Sequence, residues 1–317
     1  MARSFWIAGK EKGELRDTKL GALAPNHVRV RMIVSGISRG TERLVWQGRV
    51  PESEHERMRA PFQDGAFPFP VKYGYCAVGR IVEGAKAGTR VFALHPHQDE
   101  FDVPESMAVP IPDDVPDTAA PLAAHLETAI NALWDHPVRI GDRVTVIGLG
   151  AVGLCIANLI RRIPGADLVC VDPAPLAQAR ATALGLRVAE GAEERDIVFH
   201  TSATADGLRA AIDAAGFEAT IAELSWYGEG SVAAPLGGAF HAKRLTLAAS
   251  QVGHVAQARR TTRPHRARLE LALRLLADPA YRLDLGTPIP FAELPLHYAA
   301  ALGDHPSPLP LIGYKQK

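Results

Sequence analysis

Three glycines and one carboxylate carry the clearest chemistry in this chain. The glycines punctuate Val144-Thr-Val-Ile-Gly-Leu-Gly-Ala-Val-Gly153, and Asp172 closes the next apolar run, 19 positions beyond Gly153. The order apolar strand, glycine turn, helix is what a diphosphate needs. Gly148 permits a tight turn, Gly150 lets backbone N–H groups approach the phosphates, and Gly153 lets helix and strand pack closely. The helix start adds unpaired donors and the positive end of its dipole. Residues Gly148, Leu149, Gly150, Ala151, Val152 and Gly153 are therefore read as a dinucleotide cradle. A carboxylate at 172 can accept bonds from both hydroxyls of an adenosine ribose and would repel a 2′-phosphate. Pro173, Ala174 and Pro175 follow it, without Arg or Lys, and Arg180 falls further along the next helix. The cofactor expected is NAD(H) rather than NADP(H). A βαβ unit that folds this way and binds nothing is the plain alternative.

The surrounding pattern supplies the elements that such a turn requires. From residue 117 onward, apolar strands alternate with helical segments: a helix over 118–136, strands at 144–147, 167–172, 197–201, 219–224 and 245–250, and helices at 151–162, 176–184 and 206–215. This alternation predicts a Rossmann-type doubly wound parallel sheet. The first third reads differently. Residues 28–34 alternate apolar and charged side chains, 76–83 and 89–94 are further strands, and 43–70 reads as loop or short helices. Proline-punctuated 109–116 marks the exit from this β-rich part. The expected domains are 1–116, 117–255 and a C-terminal return, 256–317.

Composition narrows the function classes. At 317 residues the chain exceeds one typical domain. Lys plus Arg and Asp plus Glu both number 35, so no basic excess points to nucleic acid or to a membrane surface. The N-terminal run reads as neither a signal peptide nor a membrane span. Three separated cysteines, Cys76, Cys155 and Cys170, give no metal-binding or disulfide spacing and suit the cytoplasm, the latter two as core thiols.

A β-rich N-terminal part, the glycine turn near 148 and the C-terminal return resemble the medium-chain dehydrogenase/reductase superfamily over nearly the whole chain. Gly36-Ile-Ser-Arg-Gly-Thr-Glu42 is similar to the segment that carries a catalytic cysteine in zinc alcohol dehydrogenases. Gly74-Tyr-Cys76 stands where that family has Gly-His-Glu, and Leu122-Ala-Ala-His-Leu-Glu-Thr-Ala129 is similar to its third ligand-bearing segment. The resemblance implies a GroES-like catalytic domain joined to a Rossmann domain, an α/β protein, acting on a small molecule and assembling as a dimer or tetramer. It also implies that Thr201 and Ser202 lie beside the adenine and ribose, and that 225–228 and 250–253 approach the nicotinamide side.

The departures matter as much. Ser38, Tyr75 and Ala124 stand where zinc ligands would, and three cysteines are too few for a four-cysteine structural zinc loop. No metal is expected, although a rearranged set from Cys76, His125, Glu127 and Glu42 stays open. The residues expected to handle the substrate oxygen and its proton are Ser38, Thr41, Glu42, Tyr75 and His125, with Tyr73 and Glu127 nearby. Each also has a plain reading: Ser38 and Thr41 as turn hydroxyls, Tyr75 as packing, Glu42 in a surface pair with Arg39 or Arg43. His95 and His97, an H-x-H in a proline loop without a third ligand, are expected to be solvent-exposed. The function expected is zinc-independent, NAD(H)-dependent interconversion of an alcohol and a carbonyl. An enone-type reductase is one alternative. A tetrapyrrole hydroxyethyl dehydrogenase is another, since residues 35–51 resemble the bacteriochlorophyllide a dehydrogenase branch. A redox-inactive NAD(H)-binding protein is the third.

Overall fold

The computed structural model describes residues 1–303 and 305–316. These fall into two compact units, Met1–Ala124 with Leu269–Lys317, and His125–Arg268. The joints lie after 124 and 268, where composition had pointed to 116 and 255. Two contacts account for the shift. Asp117 holds Arg90 of the first unit at 2.7 Å, and Ala256 donates its N–H to Asn131 of the second at 3.0 Å.

The first unit is built on a seven-stranded sheet. Its order runs Ile289–Pro290, Leu311–Gly313, His27–Gly36, Ala77–Glu83, Arg90–Ala93, Val109–Pro110, with Glu100–Pro104 also paired to His27–Gly36. Alternation decides the facing of the central strand. Val28, Val30, Met32 and Val34 are buried, while Arg29 and Arg31 meet Asp102 and Glu100 across the ladder. A four-stranded sheet, Lys12–Thr18, Ala2–Gly9, Val71–Lys72 and Asp64–Gly65, accompanies it.

Two helices in this unit add to the sequence reading. Arg39–Trp46 is helical although Gly40 and Thr41 are poor helix formers. Leu294–Leu302 carries Pro295 in its first turn, where its fixed φ suits a helix. Tertiary bonds supply what propensity lacks: Arg39 and Arg43 donate to the carbonyls of Gly303 and Leu302.

The second unit holds a five-stranded parallel sheet. Its order is Asp167–Val171, Arg143–Ile147, Arg195–His200, Ala215–Glu223, Thr246–Ala249. The order reverses at Arg143–Ile147, the topological switch point where ligands gather beyond the carboxyl ends of such strands. Helix Ala205–Ala214 shows how local chemistry and packing agree. Thr204 caps it, its hydroxyl accepting from the Gly207 N–H at 3.0 Å, a contact worth about 1 kcal/mol. Leu208, Ala211 and Ile212 then bury one helical face against Val198 and Ile221. Cys76, Cys155 and Cys170 are all free and buried.

Candidate functional site

In the second unit, strand Arg143–Ile147 delivers the chain into the glycine turn, and helix Ala151–Ile160 leaves it. Gly148 sits at φ +94, which favours glycine. A Cβ on Gly153 would lie 1.9 Å from the Gly148 carbonyl oxygen, so that contact admits no side chain. Gly150 is different, because a Cβ there would meet nothing within 4 Å. Open space beside its backbone is what an approaching phosphate needs, and the first intrahelical bond comes only at Leu154 N–H to Gly150 O. Asp172, half-buried at the end of Asp167–Val171, accepts from the Leu149 N–H at 2.7 Å and the Ala174 N–H at 2.9 Å. Its carboxylate thus sets the turn while keeping further acceptor capacity for a ribose. Arg180 feels the charge of Asp172, although burial is the larger influence and lowers its pKa.

Thr201 and Ser202 follow Arg195–His200. The Thr201 hydroxyl donates to the Gly148 carbonyl at 2.7 Å, and Ser202 Oγ lies 2.7 Å from His200 Nε2. Thr201 therefore braces the turn from beneath.

In the first unit, four of the residues singled out for proton handling come together. The Tyr75 hydroxyl donates to Ser38 Oγ at 2.5 Å, and Thr41 also bonds Tyr75. Burial pushes the Tyr75 phenol well above its ordinary value, so it stays a donor. Glu42 lies beneath, with no exposed surface. Its Oε1 accepts the Ser38 backbone N–H at 2.7 Å, and its Oε2 accepts from His97 Nε2 at 3.0 Å and the Tyr298 hydroxyl at 2.6 Å. Burial alone would raise this carboxyl, but electrostatic attraction from His97 and the bonds from His97, Tyr298 and Ser38 outweigh it and hold the pKa below the ordinary value. His97 Nδ1 continues to Ser35 Oγ at 2.9 Å and Ser35 to the Tyr314 hydroxyl at 3.0 Å. Glu42 as a carboxylate only accepts, so His97 presents Nε2–H to it, and Ser35 links His97 to Tyr314, which pairs each buried group.

Two expectations are corrected here. His95 and His97 are buried, not exposed. His95 stacks on Phe101 at 3.8 Å, and burial lowers its pKa to about 3. Glu42 forms no surface pair, since Arg39 and Arg43 turn to backbone carbonyls. Ser35, His97, Tyr298 and Tyr314 complete the network and were missed. The structure makes room for His97 at Gly74, whose φ is +122 and where a Cβ would stand 2.9 Å from His97 Nε2. His125 belongs to the other unit. It is buried on helix Ala123–Asp135. Nearby Glu127 is engaged by Arg268 at 2.8 Å.

No family model matches the chain. A curated relative, the (R,R)-butanediol dehydrogenase of Bacillus subtilis, is 24% identical over 38% of this chain and 43% of its own length. An L-threonine 3-dehydrogenase of Rhizobium rhizogenes is 33% identical over 26% of this chain and 24% of its own. The chain thus aligns with less than half the length of these relatives. Solved structures match throughout. The L-idonate 5-dehydrogenase of Escherichia coli superposes with TM-score 0.79 at 15% identity, covering 98% of both chains. The fold is that of the medium-chain dehydrogenases and reductases. An alcohol dehydrogenase from Escherichia coli complexed with NADH shares it at TM-score 0.75 and 16% identity, over 98% of this chain and 99% of the other. A Sinorhizobium meliloti structure described as a zinc-binding dehydrogenase bound to NADP gives TM-score 0.79 and 15% identity over 99% of both.

This dehydrogenase fold often carries zinc, which requires several well-placed thiolate, imidazole or carboxylate donors. Ser38 and Tyr75 present hydroxyls bonded to one another, Ala124 presents none, and burial lifts the Cys76 thiol well above its ordinary pKa. Glu42 is committed to His97, Tyr298 and Ser38. Among the described residues no group of three His, Cys, Asp or Glu side chains is placed to hold a metal ion. These donors do not fit zinc.

Proposed function

We propose that the chain is an NAD(H)-dependent oxidoreductase that interconverts an alcohol and a carbonyl without zinc. One observation carries the reading: Gly150 leaves its backbone open beside a helix start while Asp172 sets the adjoining turn. Residues 148–153 would hold the diphosphate, and Asp172 the adenosine ribose. When bound, the nicotinamide supplies or accepts the hydride. The chain's own task is then to steady the substrate oxygen and to manage one proton. Tyr75, bonded to Ser38 Oγ, polarises that hydroxyl as a donor towards a developing alkoxide. Thr41 and Tyr75 are half-buried, which gives the proton a route to water. Glu42 acts as a positioning residue: it grips the Ser38 backbone N–H and anchors the helix start from below. A substrate-side role for His125 rests on the family resemblance of residues 122–129.

Similar proteins named butanediol, threonine and idonate dehydrogenases support a small hydroxylated substrate. Three measurements on purified protein test the reading together: NADH and NADPH titration by fluorescence, turnover across an alcohol panel, and metal analysis. NADH binding tighter than NADPH, with turnover and no stoichiometric zinc, is the expected result. Tightly held zinc at one equivalent overturns the metal-free part. Binding without any turnover favours a redox-inactive nucleotide protein.

A further inference from the structure

The carboxyl edge of the parallel sheet carries a second buried acid–base pair, outside every role assigned so far. His200 ends strand Arg195–His200 and its side chain has no exposed surface; Glu223 ends the neighbouring strand Ala215–Glu223. His200 Nδ1 lies 2.7 Å from Glu223 Oε2, and His200 Nε2 lies 2.7 Å from Ser202 Oγ. Ser202 pairs with the Thr204 hydroxyl at 2.9 Å, which caps the following helix through Gly207. On the other side, Glu223 Oε1 accepts the Ser225 N–H at 2.7 Å, and Oε2 accepts the Tyr227 hydroxyl at 3.2 Å. Ser225 Oγ in turn accepts the Ala203 N–H at 3.0 Å. A hydrogen-bond bracket therefore joins the segments leaving two adjacent strands, 201–204 and 225–227.

The sequence makes room for this bracket. A Cβ on Gly207 would lie 2.0 Å from Ser202 Oγ and 2.7 Å from His200 Nε2. The direction of donation is also fixed by what each group can do. A carboxylate only accepts, so His200 presents Nδ1–H to Glu223, while Nε2 pairs with the Ser202 hydroxyl. Burial would raise the Glu223 carboxyl, but the bonds from His200 and Ser225 hold its pKa below the ordinary value. The strands themselves do not need the pair, because the ladder from Ile197↔Thr220 to His200↔Glu223 joins them through the backbone. What the pair controls is the conformation beyond the strand ends.

We infer that His200 and Glu223 are positioning residues for the nicotinamide half of the cofactor. This rests on the dinucleotide reading above. Asp172 lies on one side of the switch strand Arg143–Ile147, whereas His200 and Glu223 end the two strands on its other side. A dinucleotide crossing that edge with its adenosine at Asp172 passes 201–204 and lays its second half against 225–227. The bracket then holds those segments in the conformation that receives it, so the ordering is done before binding rather than during it.

The test separates the two halves of the ligand. Wild-type protein, His200→Ala and Glu223→Gln are titrated with NADH and with ADP, which lacks the nicotinamide and its ribose, and each is melted thermally. For His200→Ala the Kd for NADH is expected to rise about tenfold, while the Kd for ADP changes by less than about twofold. Glu223→Gln keeps the side-chain shape and shows the same split, about threefold for NADH; it carries the test if His200→Ala does not fold. Equal weakening of both ligands, or no weakening of either, overturns the inference. Failure of the wild-type protein to bind either ligand overturns the cofactor reading itself and is told apart by that control.

Discussion

Glu42 Oε2 and His97 Nε2 stand 3.0 Å apart with neither side chain reaching solvent. A carboxylate so placed is costly unless its bonds are complete, and here Tyr298 and the Ser38 N–H complete them. The pair therefore ties two stretches of chain, at His97 and Tyr298, to the segment that presents Ser38. Replacing Glu42 by Gln removes the charge and turns an amide donor towards His97 or Tyr298. A loss of about 3–5 kcal/mol of unfolding free energy is expected, as for other broken buried pairs, measured by denaturant titration at neutral pH.

The same carboxyl makes a signed pH prediction. Its folded pKa lies below the ordinary 4.5, so its contribution is present above that value and fades as pH falls through the folded pKa. The gap in melting temperature between wild type and Glu42→Gln should hold from neutral pH to about 5 and shrink on further acidification. A gap that widens below pH 4.5 contradicts the assignment.

Two glycines in one turn should fail in different ways. A methyl group at 153 strikes the Gly148 carbonyl oxygen, whereas one at 150 meets no protein atom. Gly153→Ala is expected to cost about 1–3 kcal/mol of stability through overpacking. Gly150→Ala should melt like wild type and yet lose NADH affinity, because its methyl occupies the space left for phosphate. Calorimetric melting beside fluorescence titration distinguishes the pair. Parallel losses of stability in both variants would count against a phosphate cradle.

How much of this was legible follows from sequence distance. The turn at 148–153 and the strand ending at Asp172 are local patterns, and the parallel sheet repeats them, so periodicity and glycine spacing sufficed. The residues of the Glu42 network are not local. His97 lies 55 positions from Glu42, Tyr298 lies 256 away, and Ser35 and Tyr314 are 279 apart. A histidine in a proline loop shows in sequence neither burial nor partner, which is why His97 was read as exposed. Helix Arg39–Trp46 was hidden for a related reason: its Gly40 and Thr41 argue against a helix, and the arginines that hold it bond to Leu302 and Gly303.

Asp172 should govern which nicotinamide cofactor is preferred. Its carboxylate would repel a 2′-phosphate, and the next three residues offer no cation to neutralise one. Asp172→Ala is expected to weaken NADH about tenfold and to narrow the preference over NADPH. Because Asp172 also bonds the Leu149 N–H, part of the loss will be common to both cofactors. The ratio of the two dissociation constants is therefore the decisive quantity, and an unchanged ratio rules Asp172 out as the discriminator.

Tyr75 and Ser38 offer the sharpest test of chemistry without a metal. Tyr75→Phe removes only the hydroxyl that donates to Ser38 Oγ, and the ring keeps its edge contact with Tyr73 at 6.2 Å. If that hydroxyl polarises Ser38 towards an alkoxide, kcat should fall about a hundredfold with NADH affinity unchanged. Ser38→Ala should do the same, and the double variant should be little worse than either single one, since both hydroxyls serve one chain. Added zinc should restore neither variant, because the donors around them suit hydrogen bonds and not a tetrahedral ion. Independent, multiplying losses would mean that the two hydroxyls act separately. Restoration by zinc would mean that the reaction depends on a metal after all.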